Sequence, residues 1–124
     1  MTDNLITWSE FEKIDIRSGT IISAKYNEKA KIPAYILTID FGTNIGIKKS
    51  SAQLTQNYTE DDLINKKVLA VINFPPKLIA GIKSEVLVLA TVCDIHGTTL
   101  ITPSEVAING SKVKWVDILK LMFM

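Results

Sequence analysis

The clearest alternation of apolar and polar positions runs from Ala34 to Phe41, where Tyr35, Leu37, Ile39 and Phe41 fall on one face and predict a half-buried strand. The same period appears earlier. Ile14 and Ile16 alternate with Asp15 and Arg17, and the run resumes as Thr20-Ile21-Ile22 after Ser18-Gly19, the place where a bulge or bend is expected. Gly42-Thr43-Asn44 supplies a turn into Ile45-Gly46-Ile47-Lys48-Lys49, a third strand. Two short continuous apolar runs, Val68–Ile72 and Val86–Val92, read as buried strands extending to Phe74 and Asp94. The second is apolar on both faces, so one face fills a core and the other must be covered.

Helical signals are brief. Thr7 with Glu10 three residues later forms a capping box, with Ile6 and Phe11 at the staple positions. Thr59 caps a second start, and Glu60-Asp61-Asp62 lie in its first turn, where the helix dipole favours acids. Those carboxylates are explained by capping rather than by a metal. His96-Gly97 and Asn109-Gly110 are turn signals, Leu100-Ile101 is a candidate short strand, and 116–124 is a mainly apolar tail. Three strands, a helix and two more strands give the order of a five-stranded Greek-key barrel of the OB type, an all-β class with short helices.

Composition narrows the chemistry. At 124 residues with 47% hydrophobic positions, the chain is expected to be one domain, 1–124, with a barrel core at about 14–95. The net charge is only +1, yet 25–49 carry +3, and 63–83 hold four lysines and no acid. Folding could merge these two segments into one basic patch or leave scattered, solvated lysines. The single cysteine, Cys93, reads as a core residue in a reducing compartment. No signal peptide and no membrane-length apolar run is visible, which predicts a cytoplasmic protein without membrane insertion. The one histidine, His96, reads as a turn residue. There is no nucleophile–base pair, no Cys/His cluster and no phosphate-loop glycine spacing. These absences predict a binding protein rather than an enzyme, with no cofactor and no metal.

The segment that stands apart is Asn73-Phe74-Pro75-Pro76-Lys77-Leu78-Ile79-Ala80-Gly81-Ile82-Lys83-Ser84-Glu85. Its paired prolines fix φ and remove two donors, which predicts a loop outside any sheet. Lys77 and Lys83 flank Leu78, Ile79 and Ile82. Either these aliphatics fold back on the core, or the loop is a stiff, basic, apolar binding element.

The pattern Asn-Phe-x-Pro-x-Lys-x-x-Gly-x-x-Ser-Glu resembles the signature of the tRNA-binding domain family, which includes appended domains of aminoacyl-tRNA synthetases. Within it, Asn73–Lys77, Ala80-Gly81 and Ser84–Leu89 are similar to the CsaA-type, export-related chaperone branch. So are Ile14–Gly19, Lys29–Tyr35 and Ile45–Gln53. The likeness covers about residues 8–115, and the final nine residues extend past the family pattern. Ser84-Glu85-Val86-Leu87 departs from the more usual Ser-Glu-Gly-Met.

The resemblance implies a homodimer of OB barrels, with 1–13 and 96–124 as dimerisation extensions. It also implies binding of unfolded preproteins, contact with export machinery, and binding of tRNA or structured RNA. On that basis Lys29, Lys31, Lys48, Lys49, Lys77 and Lys83 would meet phosphates, while Asn73, Ser84 and Glu85 would bond bases or fix the loop. Phe74, Pro75, Pro76, Leu78, Ile79 and Ile82 would take apolar side chains of a peptide.

Overall fold

The computed structural model describes residues 4–116. The expected tail therefore lies outside the described residues from position 117 onward. The barrel is built on one long strand, β1 (Ile16–Tyr26), which pairs antiparallel with β2 (Tyr35–Asp40) over its second half and with β4 (Lys67–Val71) over its first. β3 (Ile47–Ala52) pairs with β2, and β7 (Leu87–Val88) with β4, giving the sheet order β3-β2-β1-β4-β7. The two edges approach each other where the Glu85 N–H donates to the Lys49 carbonyl at 2.8 Å. The result is the expected all-β, nearly closed barrel with two short helices, α1 (Trp8–Glu12) and α2 (Glu60–Leu63).

Alternation along β2 puts Tyr35, Leu37, Ile39 and Phe41 inside, as the pattern requires. Ile21, Leu54, Val68, Ala70 and Val86 complete the core, and Leu63 is carried into it by α2. Tyr35 points its hydroxyl out of this core to the Tyr58 carbonyl (2.7 Å). The Tyr58 hydroxyl in turn accepts from the Leu100 N–H at 2.9 Å. Burial, and then the nearby Glu60, Asp62 and Tyr26 groups, push the Tyr35 phenol above its usual pKa.

Five expectations are corrected. The irregularity in β1 falls at Ile22, skipped in the register between Ile21 and Ser23, while Ser18 and Gly19 pair normally with Leu69 and Val68. Gly19 is needed for another reason: a Cβ there would lie 2.7 Å from Ile39 and 2.8 Å from the Phe41 ring. The third strand starts at Ile47 rather than Ile45, since 43–45 form the turn. The run 86–94 is not one strand. It breaks at Leu89 into β7 and β8 (Ala90–Cys93), and β8 turns back on β9 (Gly97–Leu100) as a separate ribbon. Cys93 is consequently exposed rather than part of the core, beside the turn that holds His96. Finally, the segment after Pro75-Pro76 does enter a sheet, as a two-stranded hairpin of β5 (Lys77–Ile79) and β6 (Ile82–Ser84). The prolines stop pairing only where they themselves stand.

Beyond β9 the chain returns along β1. Ser18 exchanges backbone bonds with Gly110 and Ser111, Val113 donates to Ile16, and the Ser18 hydroxyl donates to the Ile108 carbonyl at 2.8 Å. Arg17, the only arginine, is consumed in this seam. It pairs with Asp15 at 2.6 Å and donates to the Gly110 carbonyl at 2.9 Å.

Candidate nucleic-acid interface

The hairpin β5–β6 projects from one barrel end, with register Lys77↔Ser84, Leu78↔Lys83 and Ile79↔Ile82. Strand alternation therefore assigns Lys77, Ile79, Ile82 and Ser84 to one face, and Leu78 and Lys83 to the other. Burial follows that division. Ser84 is buried, Ile79 and Ile82 are half-buried, and Leu78 is 76% exposed beside an exposed Lys83. Phe74 (53% exposed), Pro75 and Pro76 continue the open apolar strip below the hairpin. Of the six apolar residues expected to meet a peptide, these three and Leu78 stand open, and Ile79 and Ile82 lie against the barrel side.

The turn Ala80-Gly81 has φ of 47° and 86°, the positive pair that a two-residue hairpin turn matching strand twist requires. Glycine meets that demand freely, whereas alanine does not. A buried asparagine secures the turn: the Asn27 Nδ2 donates to the Ala80 carbonyl at 3.2 Å, and its Oδ1 accepts from the Lys29 N–H at 3.1 Å. One side chain thus ties the lysine-bearing loop 27–33 to the hairpin tip. Lys29 reaches that tip, its Cδ within 3.3 Å of where a Gly81 Cβ would sit. Sequence reading missed Asn27. The available signal was an asparagine directly after a strand, followed by polar residues and Pro33, where its side chain can organise a local turn.

The other polar signature residues also act on the backbone. The Ser84 hydroxyl accepts from the Ser51 N–H at 3.0 Å, and the Glu85 carboxylate from the Lys49 N–H at 3.0 Å, so both fasten the hairpin to β3. Asn73 accepts from the Asp15 N–H (3.0 Å) and donates to the Lys13 carbonyl (2.6 Å), fixing the hairpin base to the start of β1.

The two basic segments are therefore brought together, though not completely. Lys29, Lys49, Lys77 and Lys83 are exposed on elements that touch one another, and Lys31 is exposed on the same loop as Lys29. Lys48 is set apart: it opposes Ile39 in the register, on the face of β3 opposite to Lys49, and is half-buried. Among the described residues no carboxylate lies within ion-pair distance of these lysines, so their charge is available to an anionic partner. Also among the described residues, no group of three or more His, Cys, Asp and Glu could hold a metal, and no helix is long and apolar enough to cross a membrane.

Residues 16–112 match the family described as "Putative tRNA binding domain". The chain belongs to this family. It is a family of binding domains rather than of catalytic ones. Within it, the chain is 50% identical to the CsaA chaperone protein of Picrophilus torridus. That structure superposes with a TM-score of 0.84 over 89% of this chain and 100% of the other. The chaperone CsaA of Bacillus anthracis str. Ames is 43% identical, with a TM-score of 0.83, covering 89% and 99%. The chain is thus a CsaA-type tRNA-binding domain protein. It is also 31% identical over 110 residues to the methionine–tRNA ligase of Chlorobium phaeovibrioides, covering 89% of this chain but 15% of that enzyme. The chain thus spans about 15% of that ligase's length.

Proposed function

We propose that this protein binds tRNA or other structured RNA on the face formed by β5–β6, loop 27–33 and β3, and that it serves as a CsaA-like chaperone for unfolded preproteins in export. The observation that carries the reading is the junction at Asn27 and Glu85, which gathers Lys29, Lys49, Lys77 and Lys83 around one exposed hairpin. Phosphates meet the lysines. The open strip of Phe74, Pro75, Pro76 and Leu78 takes apolar side chains of an extended polypeptide. Asn73, Ser84 and Glu85 support this surface from behind by holding the hairpin. With the only arginine committed to Asp15 and Gly110, no guanidinium serves bidentate base readout on this face, and recognition rests mainly on phosphate position and shape.

The protein acts in the cytoplasm as a homodimer, without catalysis, and uses 1–13 and 96–124 in dimer contacts. Support for the chaperone role comes from the 50% and 43% identities to proteins described as CsaA chaperones. The test is competition. Labelled tRNA is titrated with the protein, then challenged with an unfolded preprotein. Displacement of tRNA is the expected result. Preprotein binding that leaves tRNA in place would separate the two sites, and absence of binding to either client would end the proposal.

A further inference from the structure

The base and the tip of the β5–β6 hairpin are held to the barrel unequally. At the base, three bonds run to β3: the Ser84 hydroxyl accepts from the Ser51 N–H, the Glu85 carboxylate accepts from the Lys49 N–H, and the Glu85 N–H donates to the Lys49 carbonyl. At the tip there is one. Among the described residues, Asn27 has the only side chain that hydrogen-bonds any residue from 78 to 82. The ribbon is a sheet of two strands with no third beside it, an arrangement that is marginally stable by itself. Ile79 and Ile82 give it apolar contact with the barrel, but apolar contact is not directional. The bond from Asn27 is what fixes where the tip points.

That bond is built as a buried one. Asn27 is 4% exposed, and among the described residues no buried side-chain polar atom lacks a partner. The loop does not need this side chain in order to close: the Asn27 N–H donates to the Ala34 carbonyl at 2.9 Å, and the Ala30 N–H to the Asn27 carbonyl at 3.2 Å. What the amide adds is the tie between two cationic segments. The Lys29 ammonium lies beside the tip in consequence, 3.7 Å from where a Gly81 Cβ would stand.

We infer that Asn27 is a positioning residue for RNA. By tying loop 27–33 to the hairpin tip it fixes the spacing of Lys29 against Lys77 and Lys83, and so lets this face prefer a folded RNA over a flexible single strand. This role rests on the RNA binding proposed above. Attraction between lysines and a polyanion changes little with displacements of a few ångström, well inside a screening length of about 10 Å. A match between preset cations and the preset phosphates of a folded RNA does depend on them, because ordering not made in advance is subtracted from affinity. A flexible strand adapts to either arrangement.

The decisive variant is Asn27→Ser. Serine keeps a hydroxyl that can accept from the N–H two residues on, so the local turn is retained, but it is too short to reach Ala80. Affinities for a tRNA and for an oligouridylate of the same length are measured at one salt concentration, with native far-UV dichroism checked for each protein. The expected result is a loss of about tenfold for tRNA and a change within about twofold for the oligouridylate. Asn57→Ala, which unties the β8–β9 ribbon instead, controls for general loosening and should preserve the ratio. One glycine inserted between Ala80 and Gly81 leaves Asn27 in place and moves the tip away from it. It keeps the test decisive where Asn27→Ser does not fold, and it should give the same loss of preference. Equal losses on both RNAs, or a tRNA preference that survives both variants, would overturn the inference and leave the RNA-binding reading intact. An unsubstituted protein that holds the oligouridylate as tightly as tRNA would also overturn it, and one that binds neither RNA would overturn both.

Discussion

Two hairpins leave the barrel after β4, and their contrast organises the surface. β5–β6 carries Lys77 and Lys83 and is bound to its barrel through Asn27, Ser84 and Glu85. β8–β9 belongs to a stretch from Ser84 to Ser111 without any lysine or arginine, and displays Val92 (76% exposed) and Ile95 (84%). It too is anchored by an asparagine: Asn57 donates to the His96 and Thr98 carbonyls at 2.6 and 2.8 Å. The same device, a barrel-side asparagine holding a protruding ribbon, thus serves one basic face and one apolar face that bears no cation. Placement of charge, rather than backbone architecture, divides their roles: the first suits a polyanion, the second an apolar contact.

The comparison breaks most readily at the lysines. Lys77→Ala with Lys83→Ala is expected to lower tRNA affinity about tenfold or more at low salt, from the loss of two phosphate contacts. Val92→Ser with Ile95→Ser should leave it unchanged, by filter binding or anisotropy. Equal losses from the two hairpins would erase the distinction. Next in size is the anchor. Ser84→Ala removes a buried hydroxyl, leaves the half-buried Ser51 N–H without its acceptor, and is expected to cost about 1–3 kcal/mol of unfolding free energy in urea titrations. Asn57→Ala, at an exposed site on the other ribbon, should cost about 1 kcal/mol and spare RNA binding.

A smaller change sharpens the turn. Ala80→Asn relieves a non-glycine residue at φ 47° and is expected to stabilise by about 0.5–1 kcal/mol, raising Tm without altering the Asn27 bond to the Ala80 carbonyl. The smallest effect is that of pH. Hydrogen bonds from the Thr7 and Thr59 backbone and hydroxyl groups hold the Glu10 and Asp62 carboxyls below their ordinary values. Lowered folded-state values mean that this contribution is complete above the ordinary carboxylate range. It is lost as pH falls through the depressed values, below about pH 4. Thr59→Ala should flatten the acid limb of the stability curve, and a curve unchanged in shape would contradict the assignment.

The barrel wall was legible because its strands obey one period: β2 alternates without exception, and the helix caps form at Thr7 and Thr59, as expected from the sequence. The stretch 86–94 misled because apolar residues on both faces were attributed to burial. Here they mark a strand that leaves the barrel at Leu89 and shows Val92 to solvent. The hairpin inside 77–84 was hidden by the prolines before it and by an alanine at a positive-φ position. Sequence showed the two basic segments as charge but not as one surface. Their joining depends on contacts 33 to 53 residues apart, from Ser51 with Ser84 to Asn27 with Ala80, that no local pattern announces.

The central claim is that the lysines around β5–β6 form a phosphate-binding face, and the direct test is the salt dependence of tRNA affinity. On this account log affinity falls linearly and steeply with log salt. Lys77→Ala with Lys83→Ala reduces the slope by about two, one unit per phosphate contact. A slope near zero in the unsubstituted protein, or one that the double substitution leaves untouched, would contradict it.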